Sequence, residues 1–172
     1  MPIYAIGDRV PTIDPTAFVH PDAVIIGDVT IGPESTVWPT AVLRGDHGSI
    51  VVGSQTSVQD GTVVHCTAEL STTIGDRCVV GHNAHLEGCT IEDDCLVGSG
   101  SVVLHKVHVH RGALVGAGAL VPNGTVVPAK AMALGVPVKI REDAVQDGAF
   151  TYAVDRYVHN GHWYRAELRR LD

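Results

Sequence analysis

No run of five or more like charges interrupts this chain, no apolar run approaches the ~18 residues of a bilayer crossing, and no C-x-x-C spacing links its cysteines. Each absence removes a class of protein. With a formal charge of −7 and a pI near 5.7, the chain lacks the basic footprint of a nucleic-acid binder or a polybasic membrane patch. Small-molecule partners fit it better. Cys66, Cys78, Cys89 and Cys95 signal neither a zinc knuckle nor a redox pair. The opening stretch "MPIYAIGDRVPTIDP" has neither a basic n-region nor an apolar h-region, so a cytoplasmic protein is expected. At 172 residues and 45% hydrophobic content, one domain with a continuous core is expected.

What the chain does have is a six-residue repeat. Aliphatic residues recur at Ile13, Val19, Ile25, Ile31, Val37 and Leu43, at Val52, Val58 and Val64, and at Ile74, Val80 and Leu86. A last register runs from Ile91 through Val97, Val103, Val109, Val115 and Val121 to Val127. Two places before each stands a residue that is usually small, such as Ala41, Thr56, Thr62, Cys78, Cys89 or Cys95. Glycine often follows, as at Gly32, Gly53, Gly75 and Gly98. The period does not fit a helix of 3.6 residues per turn but does fit short strands with two inward positions and a turn. The fold class predicted is all-β, a left-handed parallel β-helix of hexapeptide repeats with a C-terminal α-helix. Nineteen inward aliphatics predict about six coils, with cysteines in small interior slots, over residues 1–137. Beyond Pro137 the period ends, and Val145, Ala149, Ala153, Tyr157 and Val158 stand at helical spacing. Residues 138–172 are read as a helical extension packed on the same domain.

The register also places the polar side chains. Nine residues separate Leu43 from Val52 and ten separate Val64 from Ile74, so three extra residues bulge at "DHG" and four within "CTAELSTT". With these bulges removed, Leu43, Val64 and Leu86 share a face, and the outward column behind them is Arg44, His65, Glu87. Val58 and Val80 share the preceding face, which puts Asp60 and His82 in a second column with Gln59 beside them. The two columns diverge on one prism, so His65 and His82 are expected to meet only across the boundaries of a trimer.

On this scaffold, "VWPTAVLRGDHG", "TSVQDGTVVH" and "VGHNAHLEGC" resemble, in that order, the γ-class carbonic anhydrase family, and the likeness covers nearly the whole chain. The resemblance implies reversible hydration of CO2 to bicarbonate by a homotrimer, at a divalent metal that is zinc, with iron or cobalt as alternatives. It implies an interface ion pair at Arg44 and Asp46, an orienting amide at Gln59, an assisting carboxylate at Asp60, and metal ligands at His65 and His82. The family's third histidine ligand falls on Glu87, so Glu87 is the expected third ligand, with His85 as the alternative because both flank the inward Leu86. The family's asparagine two places before Gln59 is Ser57, and Glu69 in the shortened acidic bulge is the candidate proton shuttle.

The remaining histidines, His20, His47, His105, His108, His110, His159 and His162, are read as solvated surface residues. Trp38 reads as packing, and Tyr157, Trp163 and Tyr164 as the side chains that dock the helix. Two other functions share the scaffold. One is a metal-binding member with weak or absent catalysis, favoured by the missing third histidine. The other is a coenzyme A-dependent acyltransferase, which usually carries a long excursion loop, whereas the longest insertion here is four residues.

Overall fold

The structure, a computed structural model, describes residues 2–172. Its strands wind into a parallel β-solenoid of three faces. The first face stacks residues 24–27 and 42–45 with Val63–His65, His85–Glu87, Val102–Val103 and Leu120–Val121. The second stacks Thr12–Ile13, residues 29–31 and 50–52, Thr72–Ile74, Thr90–Ile91, His108–Val109 and Val126–Val127. The third runs from Phe18–Val19 through Thr36–Val37, Ser57–Val58, Val79–Val80, Leu96–Val97 and Leu114–Val115 to Met132–Leu134.

The inward residues of the repeat from Val19 onward pack into one buried column, with Ile13 partly buried at its end. The small positions are explained by the corners they fill. Thr56 Oγ1 donates to the Gly75 carbonyl at 2.7 Å and Thr62 Oγ1 to the Gly81 carbonyl at 2.8 Å, so buried hydroxyls tie each corner to the next coil. All four cysteines are buried. Corner residues take a left-handed backbone, supplied by glycine at Gly61 and Gly112 but also adopted by Thr40, Asn83 and Lys106.

The winding continues beyond the last inward residue read from the sequence, giving about seven turns where six were expected. Met132–Leu134 completes the extra turn around Ala133, an inward alanine too small to register as an aliphatic beat. Lys139–Arg141 then folds back antiparallel on that strand and covers the edge. At the other end, Ile3–Tyr4 pairs with Ile25 and Ile26.

The three-residue excess after Leu43 is not a loop. Val42–Val52 is one continuous strand, and its register against Val24–Ile31 jumps from Gly27–Gly45 to Val29–Ile50, leaving residues 46–49 opposite Asp28 alone. The C-terminal helix α1 is Thr151–Glu167, so Val145 and Ala149 precede it in turns. It lies on the third face, where Tyr157 and Tyr164 pack against Trp38 with ring centroids 5.8 and 5.0 Å away. Trp38 is buried and donates its indole N–H to Thr36 Oγ1 and Ser57 Oγ, each at 3.0 Å. Trp163, expected to dock the helix, instead stays about half exposed and donates to Glu167 one turn on at 2.8 Å. Among the described residues no helix is long and apolar enough to cross a membrane.

Candidate active site

The corner between the first and second faces carries the polar column. Arg44 pairs with His65, and His65 with Glu87, in strand register, so the three side chains stack on successive coils. Strand spacing of ~4.8 Å brings their ends together. Glu87 Oε1 lies 2.7 Å from His65 Nδ1, and Asp46 Oδ1 lies 3.0 Å from His65 Nε2. Arg44 in turn donates to Asp46. The result is a continuous polar chain, Arg44 to Asp46 to His65 to Glu87, at a bulged corner where Asp46, His65 and Glu87 are mostly screened from solvent and Arg44 is more open.

Both carboxyls are held ionised. Burial raises the Asp46 pKa, but hydrogen bonds from His65 and Arg44 and the guanidinium charge outweigh it and bring the group from 3.8 down to about 2. Burial also opposes the charge on Glu87, and the His65 hydrogen bond with the nearby His65, His105 and His85 charges reverses the sign, leaving its pKa lowered. Two more imidazoles face the second oxygen of Glu87: His85 Nε2 at 3.5 Å and His105 Nε2 at 3.6 Å. His105 was expected to be a surface residue, yet its Nε2 is buried and has no hydrogen-bond partner among the described residues. The signal for it was the spacing from Leu86 to Ile91, five residues instead of six. That shortened corner turns at Gly88 with φ 61°, and the His105 Cδ2 lies only 3.0 Å from the point where a Cβ on Gly88 would stand.

His82 belongs to the opposite edge of the first face. Its Nδ1 lies 2.9 Å from Asp60 Oδ2, as the second column required, and both side chains are nearly half exposed. The Asp60 carboxylate thus stands beside the Nδ1 edge of the His82 ring. Gln59 is buried beside them, and Ser57 is turned away from this edge, its hydroxyl accepting the Trp38 indole. Glu69 is exposed on the bulge that follows His65. Within one chain, therefore, His65 and Glu87 are brought together and His82 is not. The three-membered His, Cys, Asp or Glu group whose ligand atoms all fall within 4.8 Å of one another is Glu92, His108 and His110, elsewhere on the solenoid.

Comparison with known proteins fits this architecture. The family model for the bacterial transferase hexapeptide, six repeats, matches residues 71–105 and 88–123. Gamma carbonic anhydrase 2, mitochondrial, of Arabidopsis thaliana is 45% identical over 138 residues, covering 77% of this chain and 50% of that protein. The chain thus spans about half the length of that relative. Carnitine operon protein CaiE of a Proteus species is 38% identical over 148 residues, covering 86% of this chain and 75% of that protein. Among solved structures, a proposed acetyltransferase from Bacillus cereus superposes with a TM-score of 0.92 at 32% identity, over 95% of this chain and 96% of its own. A hexapeptide transferase family protein from Anaplasma phagocytophilum gives 0.89 at 32% identity, over 95% and 98%. Repeat, fold and relatives agree: the chain belongs to the γ-class carbonic anhydrase-like family of hexapeptide-repeat proteins.

Proposed function

We propose that the protein hydrates CO2 to bicarbonate, reversibly, at a divalent-metal site shared between subunits of a homotrimer. One observation carries the reading: the two edges of a single solenoid face each hold an imidazole oriented by an aspartate, His65 by Asp46 and His82 by Asp60. A carboxylate beside the ring is the usual support of a metal-binding histidine. The buried Nε2 of His105, facing Glu87, adds a polar atom without a hydrogen-bond partner among the described residues. The donor set of His65 and Glu87 from one subunit and His82 from the next suits zinc, with iron or cobalt as alternatives, and His85 is the substitute for Glu87.

Such a cation would lower the pKa of its water to about 7 and so supply hydroxide at neutral pH, a figure established for carbonic anhydrase itself. The rest is done by the chain. Gln59, buried beside the His82 edge, offers an amide to hold the nucleophile in line with CO2. Arg44 and Asp46 brace His65 and present the guanidinium at the subunit boundary. Glu69, exposed on the adjacent bulge, passes the proton to solvent.

The first face supports the trimer. Its outward positions Val24, Val42, Val63, Val102 and Leu120 form an apolar column in strand register, interrupted by His85, and Val63 is 38% exposed in the single chain. An apolar stripe flanked by both ligand edges is the surface a closed three-fold assembly would bury.

A second reading has support as well. Glu87 stands where the family has a histidine, and the solved relatives include proteins named as transferases. A weakly active metal-binding member or a coenzyme A-dependent acyltransferase is therefore the alternative. Stopped-flow CO2 hydration with metal analysis separates them. The expected result is activity proportional to bound metal, with metal and activity lost together in His65→Ala and His82→Ala while circular dichroism is unchanged. Metal without hydration favours the weak member, and acetyl-coenzyme A turnover without metal favours the acyltransferase.

A further inference from the structure

On the second face, away from the column just described, His108 and His110 flank the inward Val109, and Ile91 lies beneath Val109 in strand register. Glu92 follows Ile91 and so stands under His110. Alternate residues of a strand point the same way, so both imidazoles and the carboxylate leave the solenoid on one side. They converge on one atom: Glu92 Oε1 lies 2.7 Å from His108 Nε2 and 3.0 Å from His110 Nδ1. The rings stack, centroids 4.2 Å apart and planes 24° from parallel. The other oxygen, Oε2, accepts the Arg111 backbone N–H at 2.8 Å, which anchors the carboxylate. The Arg111 guanidinium is directed to Asp93 and Asp94 instead.

From this geometry we propose a second metal site, held by Glu92, His108 and His110 within a single chain, for a divalent transition cation such as nickel, copper or zinc. Two nitrogens and one carboxylate oxygen match that class and do not match calcium or magnesium, which take oxygen ligands. A tetrahedral centre with bonds of ~2.0–2.1 Å sets its ligand atoms roughly 3.3 Å apart, so the two contacts to Glu92 Oε1 need to open by about 0.6 and 0.3 Å from 2.7 and 3.0 Å. Hydrogen bonds from His108, the largest influence, keep the Glu92 carboxyl below its ordinary pKa against the opposing effect of burial. On binding, each coordinating nitrogen gives up its hydrogen to the other ring nitrogen or to water. The three side chains are each about two-fifths exposed, so the remaining coordination positions open to solvent and an exogenous ligand.

The inference does not rest on CO2 hydration. Its test is calorimetric titration of the metal-free, full-length protein with Ni2+, in a His65→Ala, His82→Ala background that removes the proposed shared site. One Ni2+ per chain is expected, weakened by at least about tenfold in either Glu92→Gln or His110→Ala. In the same His65→Ala, His82→Ala protein labelled with 15N, bound Ni2+ should broaden amide signals of residues 90–94 and 107–111 first. No uptake in that background, uptake indifferent to both substitutions, or broadening centred elsewhere would overturn the proposal. Glu92→Gln and His110→Ala, made in the otherwise intact chain, are expected to leave CO2 hydration unchanged, so each of the two sites can fail without the other.

Discussion

His65 has a carboxylate on each ring nitrogen, Asp46 at 3.0 Å and Glu87 at 2.7 Å, and this fixes what substitution at each neighbour should do. Glu87 sits directly over His65, whereas His85 reaches only the far oxygen of Glu87, at 3.5 Å. Glu87→Ala is therefore expected to cut the metal content of the purified protein, and His85→Ala to preserve it. The opposite pattern would make His85 the ligand and Glu87 its acceptor. An anionic ligand also leaves less positive charge on the centre than an imidazole, so Glu87→His should raise CO2 hydration and move its pH profile to lower pH. The buried thiols make a separate prediction. Burial pushes Cys89 from 9.0 up to about 12, only partly offset by backbone hydrogen bonds. Its stabilising contribution is fully present below pH 9 and fades as pH rises toward 12, because the unfolded chain then loses a proton that the folded chain keeps. Urea unfolding from pH 8 to pH 11 should show that loss, smaller in Cys89→Ala. A variant as steep as wild type would assign the loss to other groups.

At the scale of the element, α1 depends on a close approach at Gly161. A Cβ there would stand 2.6 Å from Thr36 Cγ2, and Thr36 cannot rotate freely because its hydroxyl accepts the Trp38 indole. Gly161→Ala gains about 1 kcal/mol in helix propensity but incurs an overpacking cost of about 1–3 kcal/mol, so a lower Tm is expected. Thr36→Ser deletes the opposing methyl, keeps the hydroxyl and should restore the Tm of the Gly161→Ala variant. A Gly161→Ala protein more stable than wild type would show that the helix docks with room to spare. None of this contact was legible in the sequence, which shows periodicity but not which face of the solenoid receives the helix. The columns were legible because a six-residue period with counted excesses specifies register: Arg44, His65 and Glu87 stack as counted, and Asp60 meets His82. His105 escaped the same count because the coil from Leu86 to Ile91 is one residue short, and a deficit shifts a side chain as surely as a bulge. His108 and His110 were placed on the surface by the register, yet nothing in the period says that two outward rings share one carboxylate.

The whole molecule must explain why its two oriented imidazoles stand apart. His65 and His82 occupy opposite edges of the first face, and the apolar column between them includes Val63, 38% exposed in the single chain. Covering that column in a three-fold ring would set the His65 edge of each subunit against the His82 edge of the next. Sedimentation should then report a trimer at micromolar concentration, and Val63→Lys should weaken it by placing a charge in the covered stripe. Complementation tests the sharing itself. His65→Ala and His82→Ala chains, each inactive as pure trimers, are unfolded together, refolded together and assayed. A site needs His65 from one chain and His82 from its neighbour, so random mixing of equal amounts leaves about a quarter of the sites with both imidazoles, as the symmetry of a cyclic trimer requires. Metal content and CO2 hydration should recover to about that fraction, and to none if the chains are mixed without exchange. Were each site built within one chain, every chain in the mixture would still lack a ligand, and refolding together would restore nothing.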